Sequence, residues 1–288
     1  MLLSTHTEFI SQKSGIFKTV EKLKNAGFDA YDLSFFDMPF ETSAFHKDDY
    51  KENAKKLRKF ADELGIKCNQ AHAPFPSHSA DENWNKLVFE YEKRSLEVAA
   101  IAGASICVVH PCNDYSAEEN AEKIYLPLLK YSEDFGIKIG VENMWNWNDL
   151  PYPDGRATKA ACSSPDDFVK HLKLLPEKNY AACLDIGHAE MFREYNAADY
   201  VYALDGRLEA LHVHDNDCFR DLHYFPYMGT IDFERIFKAL AETGYGGDLT
   251  FEANYTLKRY PESMQDELIK LLHDTGRVMI DKINGYKK

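Results

Sequence analysis

Positive charge is in short supply in this chain: 34 Lys and Arg stand against 47 Asp and Glu, a net of −13. A field of that sign opposes a polyphosphate partner, since nucleic-acid affinity rests largely on cationic contacts to phosphate. No nucleic-acid partner is expected. No CxxC pair occurs, and the six cysteines, Cys68, Cys107, Cys112, Cys162, Cys183 and Cys218, are scattered. Cys107 and Cys183 fall inside strand-like runs, as expected for thiols packed as small hydrophobes in a reducing compartment. The opening MLLSTHTEFISQKSG lacks an apolar core of signal-peptide length, and nowhere do about 18 apolar residues run together. These absences lead us to expect a soluble, cytoplasmic protein with no membrane partner. The first strand-like run is not followed by a glycine-rich turn, which argues against a doubly wound dinucleotide-binding sheet. Linkers, repeats and low-complexity stretches are missing as well. One domain spanning 1–288 is the economical reading, and a chain of that size hides roughly three quarters of its unfolded surface.

What is present is a regular alternation. Short apolar runs near Leu2–Thr5, Ala30–Ser34, Lys67–Ala71, Ser105–His110, Lys138–Glu142, Ala181–Asp185, Leu208–His212 and Asp248–Glu252 read as strands. Between them, amphipathic segments near Ile16–Ala26, Asp48–Leu64, Glu82–Ala102, Ala117–Phe135, Pro165–Leu174, Ala197–Leu204, Phe233–Thr243 and Pro261–Asn284 read as helices. Gly27, Gly65, Gly103, Gly136 and Gly244 follow last turns, and Ser164 followed by Pro165 opens a helix. Eight strands alternating with eight helices predict an α/β chain folded as a (β/α)₈ TIM barrel. Residues 144–163 break the rhythm, with no helix period over a stretch too long for an ordinary connection. After a fifth barrel strand this loop overhangs the mouth, where Trp145, Trp147 and Tyr152 can form a substrate-pocket wall. A second long loop, 35–47, brings Phe35, Phe36 and Phe40 to the same end.

The chemistry lies at the strand ends. Glu142, Asp185, His212 and Glu252 each close a separate apolar run, in IGVEN, ACLDIGH, LEALHVHD and LTFEAN. Three carboxylates crowded with an imidazole at one barrel end repel one another, which a divalent cation among them relieves. His72 in QAHAPF and His110 in VVHP extend the pattern to six of eight strand ends. His188, His214, Asp221 and His223 add further ligating groups. Singly, each has a plain alternative: a capped strand-end histidine, or a carboxylate paired with Lys or Arg. Jointly, salt-bridge duty does not select one barrel end. His212 and His214 lie two apart on one strand and point the same way, so spacing leaves the choice of ligand open. His6, His46, His78, His171 and His273 fall in predicted loops or helices and receive no role.

From AHAPF through VVHP, VEN, LDIGH, HVHDND and DLHYFPYMGTIDF to FEAN, the chain resembles the xylose-isomerase-like barrels, which include sugar isomerases and epimerases, inosose dehydratases and endonuclease IV. The resemblance implies one divalent ion (Mn²⁺, Zn²⁺, Mg²⁺ or Co²⁺) held by Glu142, Asp185, His212 and Glu252. It favours His212, followed by Asp215, as the ligand over His214, and makes Glu142 and Glu252 the catalytic proton carriers. His188, three after Asp185, looks like a substrate-contacting histidine. The implied activity is a sugar or sugar phosphate isomerase or epimerase, moving a proton alpha to a carbonyl through a metal-stabilised enediolate, with a small carbohydrate as partner. Two alternatives use the same residues. In an endonuclease IV-like abasic-site nuclease, His72, His110, Glu142, Asp185, His188, His212, Asp221, His223 and Glu252 match nine ligands to three Zn²⁺; a keto-cyclitol dehydratase needs the same metal and base but expels water. A barrel that has lost catalysis fits poorly with a filled ligand shell. A homo-oligomer is compatible with the sequence.

Overall fold

The apolar runs form parallel strands, and the strands close on themselves. The structure, a computed structural model, describes residues 1–148, 150 and 155–287. Its strands are β1 (Leu3–Thr5), β2 (Ala30–Ser34), β3 (Lys67–His72), β4 (Ile106–Val109), β5 (Lys138–Glu142), β6 (Asn146–Trp147), β7 (Ala157–Thr158), β8 (Tyr180–Asp185), β9 (Leu208–His212) and β10 (Leu249–Phe251). A continuous parallel ladder runs β2-β3-β4-β5-β8-β9, and β1 pairs in parallel with β10. Two parallel bridges, His6 with Asp32 and Val213 with Phe251, join these pieces into a ring of eight. The expected (β/α)₈ barrel is the fold observed. Helices such as Ile16–Ala26, Tyr50–Leu64 and Glu82–Ala102 pack outside it. Ser164 caps the helix Pro165–Lys173 by accepting from the Asp167 amide. Gly65 ends the helix Tyr50–Leu64 at φ +68°, a conformation that costs a side-chain-bearing residue energy.

The period of two along each strand sorts side chains into two environments. Outward residues, among them Cys107, Val109, Ile139, Val141, Ala182, Leu184 and Phe251, join the large core beneath the helices. Inward residues form a separate small apolar cluster of Ile106, Val108, Ala181, Cys183 and Ala210. Gly140 lies there too, where an added Cβ would meet Val108 and Ile106 at 3.1 and 3.3 Å. The other half of the interior is polar. Ser4 donates to Thr250 (2.8 Å), Thr250 to Gln70 (3.2 Å) and Gln70 to Asp32 (2.9 Å). Two residues further along most of these inward columns come the strand-end acids and histidines, which is how the mouth acquires them.

Several elements differ from expectation. The helix expected over 117–135 contains a π turn, Ala121–Tyr125, followed by a 3₁₀ turn, Leu126–Leu128. Pro127 lacks the N–H for a regular helical bond and its ring crowds the preceding turn, so the chain rewinds around it. The last helix begins at Gln265 rather than Pro261, after a 3₁₀ turn. Helices Glu8–Ser14, Ile186–Glu190 and Asn254–Lys258 follow β1, β8 and β10 directly and are too short to show a period. In the long loop, β6 and β7 pair antiparallel, Trp147 opposite Ala157. No helix among the described residues is long and apolar enough to cross a membrane.

Candidate metal centre

Because Glu142 ends β5, Asp185 ends β8, His212 ends β9 and Glu252 follows β10, their inward side chains converge at one level of the barrel. One ligand atom from each lies within 4.8 Å of the others. His212 Nδ1 is 3.1 Å from Glu142 Oε1 and 3.3 Å from Glu252 Oε2. All four side chains are buried. A second group adjoins the first through Glu142: His72 Nε2 and His110 Nε2 are 3.1 Å apart, and lie 3.5 and 3.3 Å from Glu142 Oε2. A third comprises His188, His214, Asp221 and His223. There Asp221 Oδ2 meets His223 Nε2 at 3.0 Å and His188 Nε2 at 3.6 Å. All nine ligating positions named from the sequence, with His214, therefore fall into three adjoining groups. The geometry separates the two neighbouring histidines: His212 faces Glu142 and Glu252, whereas His214 Nε2 lies between Asp185 (3.1 Å) and Asp221 (3.6 Å).

Neighbouring loops hold these groups in place. Asn143 spans the ends of β5 and β8, donating to the Asp185 carbonyl (2.9 Å) and accepting from its amide (2.8 Å). Asp185 Oδ1 accepts from the His188 amide at 2.7 Å, capping the helix that carries His188. The His188 ring meets the Asn143 carbonyl at 2.9 Å.

Electrostatically the centre is a compensated cluster. Burial pushes the Glu142 carboxyl up, but His212 and His110 beside it outweigh burial and hold it well below the usual range. Asp185 and Glu252 are likewise lowered against burial, by His188 with His214 and by His212 with His223. In return, and again against burial, His212 is raised well above its ordinary value by Cys183, Glu142 and Glu252, and His188 by Asp185 and Asp221. Asp221 raises His223 to about 10. His110 differs: burial dominates and takes it down to about 3, leaving a neutral imidazole. Glu142 Oε2, Asp185 Oδ2 and Asp221 Oδ1 are buried without a hydrogen-bond partner. Buried, orphaned carboxylate oxygens beside imidazole nitrogens are the donor set a divalent ion satisfies, so the residues fit the metal they were expected to hold.

Aromatic side chains ring the mouth. Trp145 stands edge-on to His188 (6.5 Å) and Trp147 (6.0 Å), and Trp147 to Phe219 (5.4 Å). Arg156 stacks on Phe219, and Arg220 is paired with Asp217. Opposite, Phe36 lies 4.8 Å from His72 and Phe75 4.7 Å from His110. Phe35 turns instead into the core against Phe45, and Phe40 is exposed. Tyr152 lies outside the described residues.

The sequence reading missed two residues. His6, assigned to a loop without a role, is buried beside β1 and bridges to Asp32. Asp32, fully buried on β2, forms a further group with His6 and His72. An acid in the middle of the run AYDLS was the available signal, since a buried strand has no other reason to carry one.

Likeness to known proteins bears on this arrangement. A family model described as xylose isomerase-like TIM barrel matches residues 20–274. The uncharacterized protein MJ1311 of Methanocaldococcus jannaschii is 27% identical over 248 residues, which cover 81% of this chain and 78% of that protein. A D-tagatose 3-epimerase-like protein superposes with TM-score 0.72 at 24% identity, covering 98% of this chain and 100% of the other. The IOLI protein, solved with a zinc atom, superposes with TM-score 0.71 at 17% identity, covering 99% of each chain. At these identities the two superpositions speak for the fold.

Proposed function

The chain belongs to the xylose isomerase-like TIM barrel family, and on that premise we propose that it is a metal-dependent carbohydrate isomerase or epimerase. The observation that carries this reading is the meeting of Glu142 and Glu252, from strands on different sides of the barrel, around His212 and Asp185. Glu142, Asp185, His212 and Glu252 would hold the divalent ion, which when bound would supply a Lewis acid for a carbonyl and its neighbouring hydroxyl and so acidify the adjacent C–H. Glu142 and Glu252 act at that carbon, one removing the proton and the other returning it. Both carboxyls are held low by the histidines, so the one that abstracts is ionised and able to accept, while the other takes up a proton from solvent before returning it to the carbon. His188, held by Asn143, faces the mouth and orients the substrate hydroxyls. Trp145 and Trp147 offer apolar surface to a sugar face, and with Phe36 and Phe75 they shield the centre from water. Likeness in fold to a D-tagatose 3-epimerase-like protein and to a zinc-holding one supports the same reading.

The test is proton exchange. Metal-loaded protein incubated with keto-sugars in D₂O should place deuterium on the carbon next to the carbonyl, and Glu142→Gln should lose this. Exchange at a near-normal rate in Glu142→Gln contradicts the assignment. Loss of water from the substrate instead of a rearranged sugar points to the dehydratase form of the same chemistry.

One observation favours a second reading. The nine positions that match a three-zinc abasic-site nuclease gather in three groups, with Glu142 shared by two of them. The net charge of −13 opposes a DNA substrate. Cleavage of an abasic-site duplex by zinc-loaded protein, with three ions per chain, supports the nuclease; proton exchange without cleavage supports the sugar enzyme.

A further inference from the structure

Asp32 is a buried charge that the proposed reaction leaves without a task. It sits on β2, fully buried, at the level just beneath the metal centre. Its lower side is fixed, because Gln70 Nε2 donates to Oδ2 at 2.9 Å and Gln70 is itself held by Thr250. Its upper side faces histidines: His212 Nε2 lies 3.7 Å from Oδ2, and Asp32, His72 and His6 form a separate group with ligating atoms within 4.8 Å of one another. Asp32 Oδ1, His212 Nε2, His72 Nδ1 and His6 Nε2 are all buried and all without a hydrogen-bond partner.

The orphaned nitrogens are on the far sides of rings whose near sides meet the centre. His212 turns Nδ1 to Glu142 and Glu252, and His72 turns Nε2 to His110 and Glu142. A neutral imidazole carries one proton. To ligate through the near nitrogen, each ring must keep its proton on the far one, and a buried N–H needs an acceptor. Asp32 is the carboxylate placed to serve His212. Resting on the metal reading above, we infer that Asp32 is a positioning residue, the outer carboxylate that fixes the tautomer of His212 so that it turns a bare nitrogen to the metal. Gln70 and Thr250 hold Asp32 in place for that task. The 3.7 Å separation is just beyond hydrogen-bond length.

The test uses zinc alone, so it does not depend on knowing the substrate. Zinc affinity is measured by competition with a chromophoric chelator, zinc content by elemental analysis, and histidine tautomers by ¹⁵N NMR of the zinc-loaded protein. Asp32→Asn should bind zinc about 10–100-fold more weakly with the number of ions unchanged. Its His212 ring should lose the single Nε2–H tautomer that the parent protein shows. Gln70→Leu keeps the carboxylate and removes its support. It should weaken zinc about tenfold, at the low end of that range, and it carries the test if Asp32→Asn does not fold. Unchanged affinity and tautomer in the folded variants overturn the inference. So does loss of one whole ion with the rest bound as before, which would make Asp32 a ligand. A parent protein that takes up no zinc refutes the metal reading itself, and this inference with it.

Discussion

Glu92 provides a quantitative check on the burial that shapes this protein, away from the metal centre. It lies on the helix Glu82–Ala102 with 2% of its surface exposed, and Oε1 has no partner. Burial pushes its carboxyl from 4.5 up to about 8, with only Ser77 pulling it down. The folded value is above the unfolded one, so the folded chain holds a proton that the unfolded chain releases. The associated stability is fully present below pH 4.5 and is lost as pH rises towards 8. At about 1.36 kcal/mol per pH unit, the loss reaches about 3 kcal/mol at pH 7. Glu92→Gln keeps the shape and cannot ionise, so it removes this dependence. Chemical unfolding of metal-free parent and variant at pH 5, 6, 7 and 8 should show the variant gaining on the parent by roughly 3 kcal/mol across the series. Two profiles running parallel would refute the reasoning, because they would mean that Glu92 ionises in the fold as freely as in water.

Other perturbations act at the mouth. Glu142→Gln should lower deuterium wash-in by about 10²–10⁴-fold, the contribution expected of a proton carrier, and elemental analysis should show less bound metal. Gly187→Ala places a Cβ 1.9 Å from the His214 ring; where a helical Gly→Ala change is ordinarily worth up to about 1 kcal/mol of gain, thermal unfolding of the metal-free variant should show a loss of about 1–3 kcal/mol. Since His212 and His188 are held well above their ordinary values and His223 at about 10, metal uptake at pH 7 should displace protons and tighten as pH rises. Calorimetry in two buffers of different ionisation heat should detect at least one proton released per ion, and none released contradicts the charge state described. The same raised values stabilise the metal-free fold below about pH 6.5, and that support fades as pH climbs towards 10. Trp145→Ala should raise KM more than it lowers kcat, because the ring stands at the mouth, edge-on to His188, and offers no ligating or proton-carrying group.

The barrel was readable because each strand is a short apolar run closed by a chemically distinctive residue, and parallel strands put all such closures at one end. Glu142, Asp185, His212 and Glu252 could be named for that reason, and the structure brings their ligating atoms together. Asp32 was not singled out because it sits mid-run, where a period-of-two pattern allows a polar residue without saying which face is buried. His6 escaped because β1 is only three residues long and the bridge to Asp32 depends on closure of the ring, a long-range fact. The division of labour between His212 and His214 depends on ring orientation, which spacing does not encode. The helix over 117–135 reads as one continuous period, which does not separate the π turn Ala121–Tyr125 and the 3₁₀ turn at Pro127 from the rest.

The most direct test is crystallographic: an anomalous difference map of protein loaded with a single equivalent of Mn²⁺ or Zn²⁺. The account predicts one strong peak at the barrel mouth within bonding distance of Glu142, Asp185, His212 and Glu252 together. A peak held elsewhere, or none at that position in protein shown to be folded, would contradict it.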